Sequence, residues 1–173
     1  LLQRLTPDAQ DLVIILDGIE DPRNLGAMIR TAEAFGALAV VLPKDRTAPL
    51  SGTAIKASAG AAERMDTIRV TNLARAMKAL QKQGVQMIGL DADAEHSLAE
   101  HSFQGPVALV LGHEGKGLRR LTREHCDVLA AIPIQGETGS LNVSVACGIA
   151  CHICRDWQGK GRDVTVHPPL ENY

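Results

Sequence analysis

Residues 109–120 read LVLGHEGKGLRR, an apolar run that breaks at three glycines, a lysine and two arginines. Extended back to Val107, the run is apolar at every residue, which suits a strand covered on both faces of a parallel sheet. Short apolar runs at 12–16, 38–42, 68–70, 86–90 and 128–132 predict five more strands. Helical spacing fills the gaps between them. Leu25, Met28, Ile29, Ala32 and Phe35 share a helical face that Gly36 ends, and a second helix is predicted over 73–83, stopped by Gly84. A shorter helix is expected within 53–62, and the longest over 140–157. Strand–helix alternation of this kind specifies an α/β fold with a parallel sheet flanked by helices.

Composition narrows the class. A chain of 173 residues fits one domain and can bury a core without staples. Hydrophobic residues make up 45% and charged residues 22%, which excludes a disordered chain. No apolar run reaches the ~20 residues that span a bilayer. The opening LLQRLTPDAQ lacks the basic and apolar regions of a signal peptide, so a soluble, cytoplasmic protein without membrane partners is expected. Net charge is −2 and aromatics are 2%, so nothing global marks a nucleic-acid binder. Recognition of RNA would have to rest on local features or on a further domain.

Cys147, Cys151 and Cys154 recur at helical spacing, and "CHIC" invites a metal reading. His152 points away from that stripe, which leaves zinc three thiols and no fourth ligand. Cysteines packed as small hydrophobes in a buried helix account better for the pattern, and no metal is expected.

Ligands in open parallel sheets bind beyond the carboxyl ends of the strands. Three such ends carry more than turn chemistry requires: DGIEDPRNLGAMIR, GHEGKGLRR and PIQGETGSLN. The second is not a phosphate loop of either common kind. Gly115-Lys116 is followed by Gly117, and Val110 stands where the first glycine of that lysine-bearing loop belongs. Gly112, Gly115 and Gly117 also miss the dinucleotide spacing. A backbone bent closely around something remains, with a plain tight turn as the alternative. In the third loop Ser140 could cap the long helix, whereas Asn142 suggests a ligand or a buried polar network. In the first, Asn24 could cap the helix that Leu25 begins. Arg30 falls opposite that helix's apolar stripe, as a solvated arginine or one that faces a partner.

Taken in order, DPRNLGAMIRTAEAFG, LVLGHEGKGLRR and IPIQGETGSLNVSVACGI resemble the three signature motifs of the SpoU/TrmH methyltransferases. The resemblance runs from about Leu12 to Arg155, and VLPKDRTAP, RVTNLARAM and LTREHCD look closest to the branch acting on guanosine in 23S ribosomal RNA. It implies a Rossmann-like α/β domain over 1–157 whose C-terminal part forms a deep trefoil knot, followed by a tail at 158–173. It implies S-adenosyl-methionine as cofactor, contacted at Gly112, Ile132 and Leu141, largely through backbone. It assigns the catalytic site to Arg30, supported by Asn24, Glu114, Ser140 and Asn142, without a metal. It further implies a homodimer in which the arginine of one protomer completes the other's site, with the last helix as the interface. Lys116, Arg119, Arg120, Arg123, Lys44, Arg46 and Lys56 are the cations available for phosphate contacts. The activity expected is transfer of a methyl group to a ribose 2′-hydroxyl of ribosomal RNA. Transfer to tRNA, or a non-catalytic nucleotide-binding module, are the alternatives.

Overall fold

A computed structural model describes residues 10–159. Six strands, β1 (Leu12–Asp17), β2 (Ala39–Pro43), β3 (Thr67–Val70), β4 (Gln86–Leu90), β5 (Val107–Gly112) and β6 (Val128–Ala130), form one sheet in the order β3-β2-β1-β5-β4-β6. Every pairing is parallel, as the unbroken apolar runs require. The helices are α1 (Pro22–Ala34), α2 (Gly52–Ala57), α3 (Ala61–Arg64), α4 (Leu73–Gln81), α5 (Arg120–Glu124) and α6 (Val143–Gly159), with a 3-10 turn at Leu98–Glu100.

Alternate residues of each strand feed opposite faces. Leu12, Ile14 and Leu16 pack with Leu25, Ile29, Cys147 and Cys151, beneath α1 and α6. Val13 and Ile15 pack with Leu73, Met77 and Leu80 of α4 on the other face. Gly26 lets α1 touch α2, since a Cβ there would lie 2.3 Å from the Ala54 carbonyl. Arg155 anchors α6 by donating to the carbonyls of Phe35 and Gly36 at the end of α1.

Several sequence expectations change. The helix expected within 53–62 is two helices, because Ala59 and Gly60 take positive φ of 48° and 82° between them. Strand β6 stops at Ala130, two residues early, where the chain leaves the sheet. Helix α6 starts at Val143 rather than 140 and runs to Gly159. Its thiols are buried, but Val145 is 50% exposed and His152 faces solvent, so the helix has an uncovered side rather than apolar burial all round. Among the described residues no group of metal-ligating side chains occurs, and no helix is long and apolar enough to cross a membrane. The tail expected at 158–173 lies almost wholly outside the described residues.

Candidate active site

The strand order places the C-terminal ends of β1, β5, β4 and β6 side by side, and a cleft of about 470 Å³ opens there. One wall is the loop after β5. His113 and Gly117 exchange backbone hydrogen bonds of 3.0 and 2.8 Å, closing the loop into a tight bend. Gly115 and Gly117 take φ of +81° and +67°, the left-handed region that glycine enters without strain. Gly112 answers a different need: a Cβ there would sit 2.2 Å from the Gly117 carbonyl. The glycines therefore fold the loop back onto its own strand rather than cradle a phosphate.

The facing wall is the stretch between β6 and α6. No backbone or side-chain group of residues 132–141 hydrogen-bonds to another described residue. Its main-chain donors and acceptors are free to meet solvent or a ligand. Gly112, Ile132 and Leu141, the three expected cofactor contacts, all line the cleft, as do Glu114 and Ser140.

Asn24, Glu114 and Asn142 come from three separate loops and close into one network. Asn24 donates through Nδ2 to Glu114 Oε2 at 3.2 Å. Asn142 donates through Nδ2 to Glu114 Oε1 at 3.1 Å and to Asn24 Oδ1 at 3.2 Å. Asn142 Oδ1 in turn accepts from the backbone of Ser144 and Val145, so Asn142 is also the N-cap of α6. Two expectations are corrected by this. Ser140 is not the cap, because the helix starts too late for it, and it stands exposed at the cleft. Asn24 is not a cap either. Pro22 opens α1, Asp21 caps it by accepting from the Arg23 N–H at 2.8 Å, and Asn24 faces inward with only 8% exposure.

Arg30 stays apart from this network. It is exposed, six residues or about 9 Å along α1 from Asn24, and does not line the cleft. Three expected phosphate contacts are otherwise engaged, the most exposed being Arg120, which pairs with Glu124 at 3.4 Å. Arg119 pairs with Asp17, which is wholly buried at the end of β1, and Arg123 pairs with Asp91 at the end of β4. The Asp17 partner could have been sought from sequence: an aspartate closing the strand LVIILD needs a cation if it is buried. Burial pushes the Cys126 and Cys154 thiols up to about 12 and raises Cys151 as well, through hydrogen bonding to Cys147 and desolvation.

Comparison with known proteins agrees with this geometry. The 23S rRNA (guanosine-2′-O-)-methyltransferase RlmB of Xanthomonas campestris is 58% identical over 138 residues, which are 80% of this chain and 55% of that protein. The chain thus spans about half the length of the curated relatives it matches. The structure of an AdoMet-bound rRNA methyltransferase from Sinorhizobium meliloti superposes with a TM-score of 0.83 at 29% identity, over 90% of this chain and 59% of that one. A structure described as giving insights into 2-OH methylation of C/U34 on tRNA superposes with a TM-score of 0.79 at 27% identity, over 88% of this chain and 99% of that one. Residues 11–152 match the SpoU rRNA Methylase family as a whole. A parallel sheet with three motif loops meeting at one cleft, together with that match over most of its length, makes this chain a member of the SpoU rRNA methylase family.

Proposed function

We propose that this chain transfers a methyl group from S-adenosyl-methionine to a ribose 2′-hydroxyl, that of a guanosine in 23S ribosomal RNA. The Asn24–Glu114–Asn142 network carries the proposal, because it ties the three family motifs into one polar centre at the edge of the cleft. The residues present fit the cofactor. Gly112 admits no side chain, the backbone of 132–141 is unbonded, and Leu90, Leu111 and Val143 supply an apolar wall for a purine. Gly112, Ile132 and Leu141 would hold it. When bound there, S-adenosyl-methionine supplies a methyl group already activated by its sulfonium.

The chain's own task is to position and deprotonate a weak nucleophile. Each Glu114 oxygen accepts one amide bond, and a carboxylate offers about four acceptor positions. The remainder can orient a ribose hydroxyl and draw on its proton, and Ser140 lines the same cleft. Arg30, unpaired and outside its own cleft, would hold the substrate phosphate at the site of a second protomer. That arrangement requires a homodimer, and the uncovered side of α6 around Val145 is the surface that fits. The C-terminal part, from the segment 132–139 into α6, would form the trefoil knot that the family resemblance implies. Work on ribosomal RNA would place the protein in the cytoplasm.

The match to a tRNA-related structure along almost its whole length favours one second reading, tRNA as substrate. Incubation with methyl-labelled S-adenosyl-methionine and unmodified 23S ribosomal RNA or tRNA, followed by mass mapping, separates the two. One 2′-O-methylguanosine in ribosomal RNA is expected. Label in tRNA alone selects the second reading, and cofactor binding without transfer to either selects a non-catalytic module.

A further inference from the structure

Resting on the reading above, we propose that the face formed by α1, α2 and the turn after β2 is a phosphate track for the RNA strand flanking the target nucleotide. Arg23, Lys44, Arg46 and Lys56 would be its contacts. The chain as a whole is slightly acidic, yet residues 22–32 and 46–62 contain no aspartate or glutamate. Those four cations are exposed, and none makes a side-chain hydrogen bond or ion pair with a described residue. Several arginines elsewhere are engaged within the fold, among them Arg64 on Glu33, Arg119 on Asp17, Arg123 on Asp91 and Arg155 on carbonyls at the end of α1.

Contacts within the fold bring the four together. Gly26 sits against Ala54 and Ala57 of α2, with Arg23 one turn before it on α1. The turn bearing Lys44 and Arg46 is pinned to the β1–α1 loop, where Ala48 N–H donates to the Ile19 carbonyl at 2.7 Å. Arg69 fixes it from the other side by donating to the Ala48 carbonyl at 2.9 Å. The same loop leads into Asn24, so the track abuts the polar centre. Among the described residues the two non-glycines with positive φ, Arg46 at 56° and Ala59 at 48°, bracket α2. Backbone strain of this kind persists where surrounding contacts over-determine it, and the hydrogen bonds to Ala48 supply such contacts for the turn that carries Arg46. Asp21, Asp45 and Glu20 are the neighbouring acids; Asp21 is turned onto the first turn of α1, accepting from the Arg23 N–H at 2.8 Å, and Glu20 faces His113 at 3.6 Å.

The test uses the chain as it stands, a fluorescein-labelled 20-nucleotide single-stranded RNA, and binding measured from 50 to 300 mM KCl. Arg46→Gln and Lys56→Gln should each weaken binding 3- to 10-fold at the lowest salt and flatten the log–log salt slope by about 0.7, the loss of one phosphate contact. Lys78→Gln and Lys82→Gln, exposed on or just after α4 across the sheet, serve as comparison and should leave both unchanged. With full-length ribosomal RNA the track variants should raise KM and spare kcat, while calorimetry shows normal S-adenosyl-methionine binding. Equal salt slopes for track and comparison variants overturn the track, even if methyl transfer is intact. Normal track behaviour without any methyl transfer overturns the functional reading and leaves the track standing as an RNA surface.

Discussion

Asp17 and Arg119 meet across the mouth of the sheet, the guanidinium donating to a carboxylate with no solvent exposure of its own. Arg119 also offers its backbone N–H to Asp17 at 3.3 Å, so the residue that follows the glycine loop is held from two directions. The pair fixes the loop after β5 to the end of β1.

Removing the cation strands a buried charge. Arg119→Ala should cost about 3–5 kcal/mol, whereas Asp17→Asn should cost less, because the guanidinium it leaves unpaired is 41% exposed and can be solvated. Urea denaturation of both variants checks the order, and equal losses would show that Asp17 is solvated after all.

Gly112 and Gly115 should respond to alanine for different reasons. At Gly115 a Cβ meets open space and only the backbone is strained, for about 1–2 kcal/mol. At Gly112 the Cβ collides with the Gly117 carbonyl, so the loop must move away from its strand. Gly112→Ala should therefore weaken S-adenosyl-methionine binding at least ~10-fold. Gly115→Ala should keep it within about threefold. Calorimetry on the two proteins decides.

Asn142 combines capping and positioning, and serine separates the two. Serine caps as well as asparagine, so Asn142→Ser should hold stability within about 0.5 kcal/mol. It cannot donate to both Glu114 and Asn24, and methyl transfer should fall by about 100-fold. A stability loss matching the activity loss would reduce Asn142 to a cap.

For Arg30→Ala, cofactor affinity should stay within about threefold and transfer should fall at least ~100-fold. Stability should change by under ~0.5 kcal/mol, as for a surface side chain. Light scattering should show a dimer. Mixing this variant with Asn142→Ser should restore activity, because one site of each mixed dimer has both groups. No restoration would place Arg30 in its own protomer's site.

The thiols give the protein an alkaline limit. Burial raises Cys126 and Cys154 to about 12, against about 8.5 in the unfolded chain. A raised folded value means that the folded chain keeps protons the unfolded chain releases. Stability is complete below about pH 8.5 and declines as pH rises toward 12, by at most about 1.4 kcal/mol per unit for each thiol. Denaturation at pH 7.5 and 9.5 should show the drop, and Cys154→Ala should reduce it.

The sheet was legible because most of its strands are covered on both faces and apolar throughout, β3 (TIRV, half-buried) being the exception, and all six were found within two residues at their ends. Caps were less legible. Asp21, Asn24, Ser140 and Asn142 are all good capping types by chemistry, and only the true first turns of α1 and α6 select among them. The glycine loop showed that the backbone bends, but not that Gly112 is pressed by Gly117, since that contact depends on the loop's return path. The three-loop network could be expected from the family resemblance alone. Pairings such as Arg123 with Asp91 follow from strand order, which composition does not encode.

The order of the strands also governs how the chain can be made. Strand β1 lies at the centre of the sheet, yet its neighbour β5 lies 95 residues further along at the Leu12–Val107 pairing. During synthesis β1, β2 and β3 can pair early, while the other edge of β1 remains an apolar row of unpaired amides. Contacts of such long sequence separation fold slowly. The Asp17 carboxylate waits longer still for Arg119. A nascent chain that stalls before β5 is therefore an aggregation hazard, and chaperone dependence should be greatest over that interval.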